Sequence, residues 1–520
     1  MQLLWMNWPK KPKKTIKYLV TMKLRRILLL LILFQFSLQL QAKGLTIMVL
    51  NLENLFDVDG SAMHADYHRG YYKPAHLFKR LNNTAKLLQL VRSGRGPDIL
   101  LLQGIENDRT PESSIEDYDL FLNRFQNTTV EEMLKEPLDY QVIGIPAEAF
   151  LLKMLADQGL GEYQIALGNS DFNPPTNNVY TNTAVFSKYP IVYQKSHKVI
   201  RSAPIQEVLV NIDEIPLTIL NNQWQSGNHY KGERVRISAA KVLNDRVDKI
   251  LEETPAMDIL IGGNFSTSHD QSLRFPSWKK TAFKNILGEQ STEAQLIGNK
   301  TKYYNLWYEL DASARSSEST NGSLSSNMNL LLTRNVYNKQ GIQYRDNSFQ
   351  VLKIDSLNSS EKSQRPKRWI NSPNGYGLSA HFPLVARFTI LKPDFQFIEE
   401  FIETDQKGDP KFGANAPSRV PFSRLLRDAP LVKSGVQARA IRNEDHLQQI
   451  FYFHSTLTSL TPLQIQVDEI PFHLWTEDLN LRNKIRENYK EGDEIAFFGE
   501  LSYYRKNWQT IIRDTNWLQE

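Results

Sequence analysis

From residue 45 to about residue 391 the chain alternates short aliphatic or β-branched runs with stretches of helical period. The runs "LTIMVLN", "DILLLQ", "TAVFSKYPI", "PLTILNNQW" and "DILIGGNF" predict buried strands, several of them ending in small or polar residues. Between them the periodicity predicts helices over residues 80–91 and 234–251. Buried strands alternating with helices are the pattern of an α/β domain.

The pattern changes after residue 392. Residues 393–430 mix proline, glycine and charge without periodicity and predict a linker, which separates a domain over 43–392 from one over 431–520. In the second domain "GVQARAI", "QIFYFHS" and "LQIQVDE" read as three strands. A helix near residues 481–489 and two strands in "EIAFFGELSYYRKNWQTIIRD" follow. That order suits a small five-stranded barrel of the oligonucleotide/oligosaccharide-binding (OB) type.

Composition narrows the chemistry. With 520 residues, 41% of them hydrophobic, the chain can bury the cores of more than one domain. It has no cysteine, which excludes disulfides, thiolate catalysis and cysteine-bound zinc.

Residues 1–42 carry eight positive charges, Lys10, Lys11, Lys13, Lys14, Lys17, Lys23, Arg25 and Arg26, and no acid. From Met22, "MKLRRILLLLILFQFSLQLQA" has the basic start, apolar core and final small residue of a signal peptide, with residues 1–21 as an upstream extension. The apolar core is too short to span a membrane comfortably. The expectation is export to the periplasm or extracellular space, cleavage near Ala42 and no membrane span in the mature chain. Removing those eight charges from the net +5 leaves −3, so the basic character belongs to the targeting segment. From residue 431 onward ten Lys and Arg face thirteen Asp and Glu, and charge gives no support to nucleic-acid binding.

The strand ends carry the candidate chemistry. They are "VLNLENLFD", "PDILLLQGIEND", "LNNQWQSG", "IGGNFST", "NMNLLLT" and "GYGLSAHFPL". Taken together and in this order they resemble the endonuclease/exonuclease/phosphatase superfamily of metal-dependent phosphoesterases. The resemblance implies a four-layer α/β sandwich of deoxyribonuclease I-like type over 43–392, followed by the OB-like barrel. It also assigns positions. Asn51 matches the asparagine that helps position the metal, and Gly104 stands where the principal metal-binding glutamate is found. Gln223 replaces the histidine that contacts the scissile phosphate. Asn264 stands for the catalytic aspartate, Ser266 for the phosphate-orienting asparagine and Asn329 for a further aspartate. In the closing motif Ala380 replaces an aspartate while His381 is retained.

All four matched acidic positions are therefore uncharged. A hard divalent cation needs carboxylate oxygens, and asparagine cannot take a proton from water. Each lost acid or base typically costs about 10²- to 10⁴-fold in rate. Glu53 and Glu106 are the candidates for rescuing a metal site, though each can equally be a solvated or paired strand-end acid.

The expected function is that of a catalytically inactive binding or assembly component, without a cofactor, acting on an unknown protein or phosphate-containing ligand. One alternative is a phosphoesterase using Mg²⁺ or Mn²⁺ through a rearranged ligand set. Another is phosphate-ligand binding without turnover. Restoring all six replaced side chains together is expected to rebuild a metal site if the pocket is merely disarmed.

Other polar residues have structural readings. Asn51 and Gln103 suit strand-end hydrogen bonding, and His381 suits a packed, hydrogen-bonded role. Arg234 and Arg236 suit a solvated helix face, and Asn182 a turn or cap. Tyr503, Tyr504 and Trp508 could stack bases but suit barrel packing.

Overall fold

The computed structural model describes residues 43–62, 64–107, 115–168, 181–227, 229–288, 293–298, 301–320, 323–360, 365–371, 374–391, 429–443, 446, 450–476, 479–504, 507–512 and 517–519. The predicted targeting segment lies outside them, as does nearly all of the predicted linker.

Strands come in chain order as β1 (Lys43–Leu55), β2 (Ile99–Glu106), β3 (Gln164–Leu167), β4 (Thr181–Ser187), β5 (Ile191–His197), β6 (Ile205–Ile212) and β7 (Ile215–Gln223). They continue as β8 (Asp258–Asn264), β9 (Tyr304–Asn305), β10 (Glu318–Thr320), β11 (Ser323–Ser325), β12 (Met328–Leu332), β13 (Gly341–Tyr344), β14 (Gln350–Val351) and β15 (Leu384–Leu391). One sheet has the order β13-β15-β1-β2-β4-β3 with β14 paired to β15, and the other the order β5-β6-β7-β8-β12-β9.

Alternation along each strand makes the layers. On β1 and β2, Ile47, Val49, Ile99 and Leu101 face Val208, Ile219, Leu260 and Leu330 of the other sheet. The intervening Met48, Leu50, Leu100 and Leu102 face helices α1 (Pro74–Gln89) and α2 (Ala147–Asp157) through Leu81, Ala85, Phe150 and Met154. On the far side Ile259, Ile261 and Leu331 pack under α3 (Tyr230–Glu253), through Ala239, Leu243 and Val247. Helix, sheet, sheet, helix is the four-layer sandwich implied by the motifs. A glutamine–asparagine bridge crosses the inner layer. Gln103 donates to Asn221 at 2.7 Å, and Asn221 donates to the carbonyls of Leu102 and Ala184 at 3.1 and 3.0 Å.

The C-terminal strands are β16 (Leu431–Val432), β17 (Ile450–Leu460), β18 (Leu463–Val467), β19 (Ile470–Trp475), β20 (Glu494–Tyr504), β21 (Asn507–Ile511) and β22 (Leu518–Gln519). Pairings β17–β18–β19–β21–β20 return to β17 and close a five-stranded barrel. Two details differ from the sequence expectation. "GVQARAI" is a helix, Gly435–Ile441, and not a strand: Ser434 and Gln437 form a capping box, and Gly435, Ala438 and Ile441 are buried at helical spacing. Its place in the barrel is taken by β19, where Pro471 lies in the strand without breaking it.

Candidate functional site

The matched positions meet at one end of the two sheets, and the backbone there is irregular. Pairing of β1 with β2 shifts register between Asn51 and Leu55, and pairing of β2 with β4 shifts between Gln103 and Ile105. Glu53 and Asn54 have φ of 46° and 66°. Buried Arg80, from α1, fixes this bulge by donating to the carbonyls of Leu52 at 2.5 Å, Glu53 at 2.9 Å and Asn54. The Asn51 side chain caps it from inside, accepting from the Glu53 N–H at 2.8 Å.

Gly104 lies against the bulge at φ +75°. A Cβ there would lie 2.8 Å from both Asn51 Oδ1 and the Glu53 nitrogen, and 3.2 Å from the Asn54 nitrogen. The position matched to the principal metal ligand is thus occupied by main chain, in a conformation that favours glycine.

Both rescue candidates are engaged elsewhere. Glu53 accepts from the Ala380 N–H at 2.5 Å and pairs with Arg368 Nε at 2.7 Å. Buried Glu106 accepts from the Asp57 N–H at 2.9 Å.

The other replaced positions are also built into local structure. Gln223 accepts from the Gly104 N–H at 3.2 Å and donates to Thr181 Oγ1 at 2.8 Å. Asn264 accepts from the Ser266 N–H at 3.0 Å, and Ser266, at φ 49°, donates from Oγ to the Trp224 carbonyl at 3.2 Å. Asn329 is fully buried. Its Nδ2 donates to the carbonyls of Thr267, Ser326 and Asn327, and its Oδ1 accepts from Asn305. An aspartate there would set a carboxylate against those three carbonyls.

His381 has gained a partner that the motif comparison does not contain. Glu318 of β10 pairs with its Nε2 at 2.6 Å, and a backbone bridge between the two residues holds them together. Ser325 Oγ donates to the same carboxylate at 2.6 Å, and Asn327 donates to it as well. Burial works against a charged His381, but the charge and hydrogen bond of Glu318 outweigh it, and its pKa is raised. Burial likewise opposes an ionised Glu318, and His381 with the Ser325 and Asn327 donors brings its pKa below the usual range. His381 Nδ1 is buried without a hydrogen-bond partner among the described residues. Glu318 lies outside every matched motif, and no sequence signal pointed to it.

The Glu53–Arg368 pair lines a cleft of about 540 Å³ together with residues that include the acid Asp66, His64, Tyr67, Tyr71 and Trp369. Arg368 is 70% exposed at its edge.

Arg236 is not on a solvated face: it is fully buried, paired with Glu233 at 2.8 Å and donating to the carbonyls of Gln225 and Gly227. Arg234 is exposed. Asn182 lies within β4, not in a turn, and donates to the Gly168 carbonyl. Tyr503 packs against Trp508 with ring centroids 5.0 Å apart.

The cluster therefore offers one buried histidine–carboxylate pair, one exposed guanidinium and two engaged glutamates. No protein-family model and no curated protein matches the sequence. Solved structures do align with it. Truncated TDP2 of Caenorhabditis elegans aligns at TM-score 0.35 and 12% identity, over 66% of this chain and 97% of that one. An endonuclease/exonuclease/phosphatase family protein from Bacteroides thetaiotaomicron aligns at 0.36 and 12%, over 67% and 99%. Sphingomyelinase C from Streptomyces griseocarneus aligns at 0.36 and 12%, over 66% and 99%.

Proposed function

We propose that this chain, built on the deoxyribonuclease I-like fold, is an exported binding or assembly component in which the phosphoesterase site has been dismantled. The observation that carries this reading is Gly104, because the Arg80-held bulge fills the space a metal-binding side chain would need there. The uncharged Asn264, Asn329 and Ala380 support it, and so do the engagements of Glu53 and Glu106. A metal site rearranged around those two glutamates would first have to release the Ala380 and Asp57 N–H groups and the Arg368 guanidinium.

The test is hydrolysis. Protein from Lys43 onward should leave DNA, RNA and bis-p-nitrophenyl phosphate at the background rate with Mg²⁺ or Mn²⁺. Turnover abolished by EDTA and by Glu106→Ala or Glu53→Ala would overturn the reading in favour of the rearranged phosphoesterase.

Phosphate-ligand binding without turnover is the second reading, and the cleft with Arg368 at its edge favours it. It predicts heat of binding with inorganic phosphate or a phosphomonoester that falls at least tenfold in affinity with Arg368→Ala. Equal affinity in the variant would remove it.

A further inference from the structure

Away from the matched motifs, three acids from separate segments converge. Glu293 opens the helix Glu293–Ile297, Glu309 ends the turn Leu306–Glu309 that follows β9, and Asp346 lies just beyond β13. One carboxylate oxygen from each lies within 4.8 Å of those of the other two. β9 and β13 are edge strands of the two different sheets, so the cluster joins the sandwich across its open side.

Two of the carboxylate oxygens in this cluster lack a donor among the described residues. Glu309 is 1% exposed, and its Oε2 accepts from the Tyr344 hydroxyl at 2.5 Å, but its Oε1 has no hydrogen-bond partner among the described residues. Asp346 Oδ1 and Asn347 Oδ1, next to it in the chain, are buried and unpartnered in the same way. Buried acceptors without donors are unfavourable, and three neighbouring carboxylates cannot all ionise without a counter-charge.

We propose that Glu293, Glu309 and Asp346 hold a hard divalent cation of the calcium type. One ion supplies a counter-charge to the three acids and is within reach of one oxygen of each. Calcium binds oxygen at roughly 2.3–2.6 Å, so its ligands can stand up to about 5 Å apart, which suits this spacing; magnesium at about 2.1 Å would need the acids to draw closer. The site is independent of the phosphoesterase reading, since none of its residues belongs to the matched motifs.

The experiment is a thermal melt of EDTA-treated protein titrated with Ca²⁺ or Mg²⁺, together with Tb³⁺ luminescence sensitised by Tyr337 and Tyr344. The Tyr337 hydroxyl lies 3.5 Å from Glu293 and that of Tyr344 2.5 Å from Glu309. Saturable stabilisation is expected, with the folding equilibrium favoured about a hundredfold at a hundredfold excess of Ca²⁺ over its dissociation constant, and less by Mg²⁺. Terbium emission should saturate at one equivalent and be displaced by Ca²⁺. Glu309→Gln removes a buried acid and should fold, gaining stability in EDTA while losing both responses, and Asp346→Asn should lose the terbium signal. The proposal is overturned if Ca²⁺ stabilises wild type no more than Glu309→Gln, or if terbium emission is the same in both.

Discussion

At Gly104 the backbone dictates what the side chain can be. A Cβ there carries the cost of a left-handed conformation, about 1–2 kcal/mol, and a contact with two atoms that Arg80 and Asn51 hold in place. Gly104→Ala should therefore lower stability by about 2–4 kcal/mol in denaturant melts, and the sixfold restoration should fail at this residue first. The His381–Glu318 pair makes a different prediction. The raised pKa of His381 means that its contribution is complete below its unfolded value near 6.5 and is lost as pH rises through the folded value. The lowered pKa of Glu318 means that its contribution is present above about 4.5 and is lost as pH falls through the folded value. Wild type should thus exceed His381→Gln in stability most clearly between about pH 4.5 and 6.5, with the margin narrowing above that window. A margin flat from pH 5 to 9 would contradict the pairing. The matched positions were legible as a set, because each sits at the end of its own strand motif, and the structure gathers them at one end of the sheets. The left-handed Gly104 and the arrival of Glu318 were not, because one depends on an arginine 24 positions earlier and the other on a distant hairpin.

Among the elements, period-2 burial made the sandwich strands readable, since Ile47 and Val49 face one layer and Met48 and Leu50 the next. Alternation misled in "GVQARAI", where Val436 is 78% exposed and the true burial period is three. The Ser434-x-x-Gln437 capping box was the signal for a helix. Barrel closure rests on a close approach that periodicity does not reveal. A Cβ at Gly499 would lie 1.9 Å from Thr510 Oγ1, on a strand that pairs with both β17 and β21. Gly499→Ala should destabilise the barrel by about 1–3 kcal/mol, read as faster hydrogen exchange in β17 and β20. Thr510→Ala in the same chain should recover most of that loss, whereas simple additivity would place the strain elsewhere.

For the whole molecule, residues 1–42 hold the excess of positive charge, and they are the basis of the proposal of export. β1 starts at Lys43, directly after the cleavage position proposed at Ala42. Mass spectrometry of the native protein should find a chain beginning near Lys43, and an intact leader recovered with membranes would mean an anchor instead. Among the described residues no helix is long and apolar enough to cross a membrane. The sandwich and the barrel have separate sheets and cores, and the loss of periodicity over 393–430 is the sequence feature from which a linker between them is expected.

The Arg80-held bulge also bears on mutational history. If a glutamate once stood at 104, its loss and the tightening of the neighbouring loop have become mutually dependent. Replacing the glycine alone now meets strain, and freeing the loop alone leaves three carbonyls, that of Leu52 buried, without their guanidinium. On that premise each first step back is unfavourable by itself, so a return to metal chemistry would need both changes together and the proposed loss of activity would act as a ratchet.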